Sequence, residues 1–186
     1  MTPEDINEVL DELFADQISE VSAGSWKIDR ENLRLLVLLS DDESWVMALA
    51  PMAPVEEAKP FFEDLLKANF EFTQETRYSI SEGVIWVTYR HQLESLTQES
   101  FAEMIGRLNR LQEEGLTPYF QAKLDRQLQM IVEVSKAQGQ TLEGTMQTLH
   151  RFYEEGMMGE LSQNAQEREQ VLAAWKRQLE RLWPEV

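Results

Sequence analysis

Cysteine is absent from this chain. That removes disulfides, thiolate nucleophiles and thiolate metal sites, and it suits a reducing compartment, so a cytoplasmic location is expected. A run of apolar residues long enough to span a bilayer is also missing. The longest apolar cluster, Leu33 to Leu39, contains Arg34 and stops at Ser40-Asp41-Asp42, so no membrane insertion is expected. The start, Met1-Thr2-Pro3-Glu4-Asp5, is acidic where a secretory signal would be basic and then apolar. No Lys or Arg precedes Lys27, whereas Glu4, Asp5, Glu8, Asp11, Glu12 and Asp16 crowd the first segment. The net charge is −17. Binding to phosphate backbones or anionic lipid draws on Lys and Arg, so nucleic acid is excluded as a partner.

Catalytic patterns are lacking too. There is no G-x-G-x-x-G, no G-x-x-x-x-G-K-[ST] and no G-x-S-x-G. Of the two histidines, His91 continues the alternation of a strand, which makes it a rim residue. His150 stands four residues before Glu154, but a helical di-iron site needs Glu three residues before His, and Gln147 occupies that place. Asp41-Asp42-Glu43 lacks the spaced ligands and distal Glu of a calcium loop and reads as a solvated hairpin tip. No catalytic residue, no metal ligand and no cofactor is therefore expected.

What is present is a clear alternation of elements. Thr2 caps a first helix with Pro3 at its first position, and Ile6, Val9, Leu10, Leu13 and Phe14 keep helical spacing, which carries the helix to about Glu20. Strands are expected near Trp26 to Asp29, over Leu33 to Leu39, and from Trp45 to Ala50, where Pro51 ends the third. Pro54 to Asn69 reads as a helix with Phe61, Phe62, Leu65 and Leu66 inward, interrupted near Pro60, and Asn69 suits a left-handed closing residue. Phe70 to Thr73 suits a short strand. Arg77 to Ser81 and Val84 to His91 flank Glu82-Gly83, a two-residue hairpin signal. Ser95 or Thr97 caps a helix with Phe101, Met104, Ile105, Leu108 and Leu111 inward, closed by Gly115. After that come helices from Thr117-Pro118 to about Gln138, from Thr141 to Gly156, and from Ser162 to Pro184. Strands grouped in hairpins predict an α+β fold: an antiparallel sheet of about five strands with helices packed on it, plus a C-terminal three-helix extension. The expected division is 1–115 for the α+β part and 116–186 for the extension packing on it.

The strands themselves carry the functional signal. Leu36 and Leu38 oppose Leu33, Leu35, Val37 and Leu39; Trp45, Met47 and Leu49 oppose Val46, Ala48 and Ala50; Val84 and Trp86 oppose Ile85, Val87 and Tyr89. A sheet that is apolar on both faces must have both covered. The first three helices suffice for one face. The other needs the C-terminal helices, a second copy of the chain (a homodimer) or a client protein. Trp45, Met47 and Trp86 are the candidate contacts on the sheet. Met157 and Met158, in Gly156-Met157-Met158-Gly159, are candidates on the extension, because methionine adapts to varied surfaces. Trp175 and Trp183 read as helix-packing anchors.

The order helix-β-β-β-helix-β-β-helix over Thr2 to Gly115 resembles the type III secretion chaperone-like fold, including the CesT-type chaperones and YbjN-like proteins. Ser44-Trp45-Val46-Met47-Ala48-Leu49-Ala50-Pro51, followed by the Pro54-to-Asn69 helix, looks similar to the central strand and following helix of that group. The resemblance implies dimerisation and binding of partner polypeptides without enzymatic activity. A protein-binding, chaperone-like role is therefore the leading expectation. Two alternatives remain beside it: a small-molecule sensor or enzyme with a pocket near Tyr89, His91 and His150, between sheet and C-terminal helices, or a structural subunit of a larger assembly.

Overall fold

A computed structural model describes residues 1–30, 33–154 and 165–184, with side chains described there except at 16, 153–154 and 165–172. The fold is α+β, with a six-stranded antiparallel sheet in the order β1-β2-β3-β4-β6-β5. Contacts divide the chain into two units, Met1–Tyr119 and Phe120–Val186.

In the first unit the order is α1 (Pro3–Phe14), β1 (Ile18–Ser22), β2 (Ser25–Asp29), β3 (Arg34–Leu39), β4 (Trp45–Pro54), α2 (Val55–Ala58), α3 (Phe62–Glu71), β5 (Thr76–Ser81), β6 (Val84–Gln92) and α4 (Gln98–Glu114). Thr2 accepts the Asp5 N–H while the Asp5 carboxylate accepts the Thr2 N–H, a capping box that opens α1. The helix ends at Phe14, six residues short of the expected Glu20, and Ala15 turns to φ 48°. Ile18 continues the helical spacing from Phe14, so periodicity alone runs on. Instead Ile18–Ser22 pairs with β2 around Gly24, whose φ of 73° suits a residue without a Cβ. This strand is the one that the sequence did not foretell.

β4 runs past Pro51 to Pro54. Its pairing with β6 shifts between Pro51 and Ala53, a bulge that lets the strand continue. The Pro51 carbonyl faces away from β6 and accepts from Gln112 Nε2 at 2.9 Å. The missing proline donor therefore points beyond the last β3–β4 pair, Leu36 with Leu49, where Gln112 Oε1 also accepts the Arg34 N–H at 3.3 Å and so bridges the start of β3 to Pro51. Pro60 does what its ring dictates. It separates α2 from α3 by a 3-10 turn, Lys59–Phe61. Thr97, not Ser95, caps α4, accepting the Ser100 N–H.

One sheet face is buried throughout. Trp26, Ile28, Leu35, Val37, Val46, Ala48, Ala50, Val87 and Tyr89 form a single core with Ile6 and Leu10 of α1 and Phe101, Ile105 and Leu108 of α4. A second cluster joins Ala58, Phe61 and Leu65 to Ile85. The helices of this unit thus pack on the same face. The opposite face is apolar at its centre, where Leu36, Leu38, Met47 and Leu49 are half-buried. It turns polar toward its margins, with Lys27 on one side and Thr88, Ser79 and Arg90 on the other.

In the second unit, α5 (Thr117–Ala137, its first turn in the first unit), α6 (Leu142–Glu154) and α7 (Ala165–Leu182) share a core of Leu128, Val132, Leu149, Trp175, Leu179 and Leu182. Trp175 is an anchor of that core, and Trp183 packs at its margin under Lys136, 5.6 Å from the ring centroid. Asp125 accepts from Gln178 at 2.6 Å and faces Arg181 at 3.6 Å.

Two local predictions arise here. The Tyr89 hydroxyl is buried without a hydrogen-bond partner, and burial, followed by Glu75, pushes its pKa up to about 12. Removing an unsatisfied hydroxyl costs nothing, so Tyr89→Phe is expected to keep or raise stability by about 1 kcal/mol in urea denaturation. A loss of that size would reveal a partner. At the β3–β4 tip, Asp42 accepts from Ser40 Oγ, Ser44 Oγ and Ser44 N–H, which lowers its carboxyl to about 2. A depressed carboxyl stabilises the fold above its unfolded value and loses that effect as pH falls through the folded one. Stability of Asp42→Asn should therefore trail the parent at neutral pH and converge on it between about pH 4 and 2. Parallel melting curves across pH measure this, and a constant gap would contradict it.

Candidate protein-docking surface

α3 carries two apolar stripes. Leu65 and Ala68, with Phe61 of the preceding turn, are buried. Phe62, Leu66 and Phe70 recur at a spacing of four, which places them along one line on a different side of the helix. Phe62 is half-buried, whereas Leu66 is 68% exposed and Phe70 93%. Phe72, at the helix end, is 72% exposed, and Ile80 on β5 is 58% exposed. Leu66 and Ile80 border one cavity of about 100 Å³, whose walls include Phe62, Leu65, Tyr78 and Ile85. An apolar hole and projecting apolar knobs thus share one surface. Exposed apolar residues scattered singly need no explanation, but a contiguous group marks a contact site.

Several residues hold this surface in place. Tyr78 and Tyr119 meet edge to face, ring centroids 5.9 Å apart, and burial followed by the Tyr119 hydroxyl pushes the Tyr78 pKa well above its usual range. Asn69 lies inside α3 and does not close it, contrary to its expected role, because the helix continues to Glu71. Its side chain turns to β5: Nδ2 donates to the Tyr78 carbonyl at 3.1 Å, and Oδ1 accepts the Tyr78 N–H at 2.7 Å. The short strand expected at Phe70 to Thr73 is likewise the end of this helix and a turn. Lys67 pairs with Glu63 at 2.7 Å, whereas Glu71, Glu75 and Glu82 keep the neighbouring surface acidic.

Leu66, Phe70, Phe72 and Ile80 were not singled out from the sequence. Leu66, expected on the buried side, is exposed, and the 62-66-70 spacing is the sequence signal that marks this line. The residues that were singled out lie elsewhere. Trp45 and Met47 share the half-buried sheet face, where the Arg90 guanidinium lies 4.0 Å from the Trp45 ring centroid. Trp86 stands on the same face opposite Pro51 and donates its indole N–H to the Ser81 carbonyl at 3.2 Å. Trp45 and Pro51 are six residues apart on β4, or about 20 Å, so the three residues share a face but not a contact point. Met157 and Met158 lie outside the described residues, as do Gly156, Ser162 and the Glu31-Asn32 turn.

His91 stacks on Tyr89, ring centroids 5.9 Å apart, and donates from Nδ1 to the Gln92 carbonyl at 2.8 Å. Tyr89 is 1% exposed, so its ring offers a ligand no surface. His150 lies on α6 in the second unit. Among the described residues no group of three or more His, Asp or Glu is placed to hold a metal ion, and no helix is long and apolar enough to cross a membrane. A larger cleft, about 680 Å³, opens between α1 and the β1–β2 and β3–β4 turns. Glu4, Glu8, Glu20, Asp41 and Glu43 line it, which makes it repellent to anions.

No family model matches the chain, and no curated protein sequence matches it. Solved structures do. ExsC in its complex with ExsE aligns at 17% identity and a TM-score of 0.48, over 61% of this chain and 92% of its own. The type III secretion chaperone SycH of Yersinia pestis, in complex with a fragment of YscM2, aligns at 11% identity and 0.44, over 57% and 92%. YbjN of E. coli aligns at 14% identity and 0.45, over 62% and 91%. Each alignment covers about three-fifths of this chain at no more than 17% identity.

Proposed function

We propose that this protein is a non-enzymatic, chaperone-like binding module that works as a homodimer in the cytoplasm, docked through the surface of α3 and β5. One observation carries the reading: Leu66 and Ile80 stand more than half exposed at the rim of an apolar cavity, and Phe70, 93% exposed, continues the Leu66 line along α3. A two-fold interface needs a surface complementary to itself, and a knob beside a hole on one patch satisfies that need. The partner beyond the second copy is another polypeptide. The net charge of −17 complements a basic one, and the apolar sheet face of Trp45, Met47 and Trp86 offers it contact area.

Light scattering over a range of concentrations tests the dimer. Two chains per particle are expected at micromolar concentration. Both copies are strongly acidic, so association should tighten as salt screens their repulsion. A single chain per particle at all concentrations and salt levels would overturn the reading.

A further inference from the structure

The docking surface adjoins the outer edge of the sheet, and an open edge is a template for another strand. β5 is an outer strand. In an antiparallel ladder alternate residues aim their N–H and C=O at the neighbouring strand and away from it. Ser81 and Val84 flank the two-residue turn, and this hairpin register gives Ser81, Ser79 and Arg77 to β6. Thr76, Tyr78 and Ile80 therefore point their backbone groups outward. Thr76 donates its N–H to the Thr73 carbonyl at 3.0 Å, and its own carbonyl accepts from the Arg77 guanidinium. Both outward groups of Tyr78 are held by the Asn69 side chain. A carboxamide presents a donor and an acceptor as a peptide group does, so Asn69 stands where the peptide of an added strand would lie. Among the described residues, only Ile80 of these three has no partner for its outward pair.

We propose that Asn69 guards the β5 edge, so that the α3–β5 surface accepts the side chains of a second copy's α3 and refuses an added strand. The identity of that partner rests on the dimer reading; the guard itself does not. Without the carboxamide, the Tyr78 N–H and C=O would lie open beside exposed Leu66, Phe70 and Ile80. Hydrogen bonds and apolar contacts would then reward strand pairing together. The far edge of the sheet is β1, also an outer strand. Head-to-tail pairing of one edge with the other builds rings or filaments, assemblies larger than a dimer in either case.

Amide exchange by NMR and light scattering on the full chain test this. In the unaltered protein the Tyr78 amide should exchange about 100-fold more slowly than the Ile80 amide. Asn69→Ala should bring the two rates within about tenfold and produce particles larger than a dimer that grow with concentration. Adding Ile80→Pro, which removes one of the two outward donors then open and sets a proline ring on the edge, should suppress those particles. Equal exchange at Tyr78 and Ile80 in the unaltered protein would overturn the proposal, and this measurement stands even if Asn69→Ala does not fold. A folded Asn69→Ala with the parent's mass at every concentration would overturn it as well. Failure of the dimer reading shows separately, as a monomeric parent; in that case the guard predicts assembly of Asn69→Ala from monomers.

Discussion

Replacing Phe70 with glutamate should split the proposed dimer into single chains while leaving the fold of the single chain intact. The side chain is 93% exposed, so the fold gains almost nothing from it. Burying a phenylalanine at an interface is worth about 1.5–3 kcal/mol. A two-fold axis uses each residue twice, giving about 3–6 kcal/mol, or roughly 10²- to 10⁴-fold in the dissociation constant. A glutamate beside Glu71 adds repulsion in the same direction. Analytical ultracentrifugation of parent and variant measures the shift. Equal dissociation constants would mean that copies do not meet at α3.

The converse result is expected at Phe101. This side chain is fully buried in α4 within the core of the first unit, among Ile6, Leu10, Val46, Ala48 and Val87. Truncation to alanine removes the burial and leaves a cavity, at about 3–5 kcal/mol. For a unit of this size that lowers the melting temperature by roughly 10–25 °C. The two variants separate binding from folding. Phe70→Glu changes mass and spares the fold of the single chain, and Phe101→Ala lowers the stability of that fold. Calorimetry on Phe101→Ala showing a shift below a few degrees would mean that the sheet and α4 do not share one core.

The fold was largely legible because its periodicities were long. Ile6, Val9 and Leu10 in α1, or Phe101, Ile105 and Leu108 in α4, repeat often enough to define a helix and its inward face. Val46-Ala48-Ala50 and Ile85-Val87-Tyr89 do the same for strands, and Glu82-Gly83 adopted the positive φ values, 49° and 76°, of the hairpin its sequence suggested. Misreadings fell where a short segment fits two patterns. Ile18 to Ser22 extends the helical spacing of α1 and also makes an edge strand. Pro51 looked like a strand end because proline cannot feed a central ladder, yet its free side met Gln112 of α4, sixty-one residues away.

The docking surface was harder to read for a different reason. Phe61, Phe62, Leu65 and Leu66 are equally apolar, and composition does not say which pair faces the core. That depends on the rotation of α3 about its axis, which the packing of Leu65 against Ile85 and the Asn69 bonds to Tyr78 decide.

By itself, then, the amino-acid order determined the periodicities, the α+β class, the two-sided apolar sheet and the acidic charge, since these depend on neighbours along the chain. Tertiary structure alone decided which stripe of α3 stays outside, and it turned Asn69 from a helix terminator into a partner for β5. Both outcomes come from contacts between residues far apart in sequence, whose geometry exists only once the sheet has formed.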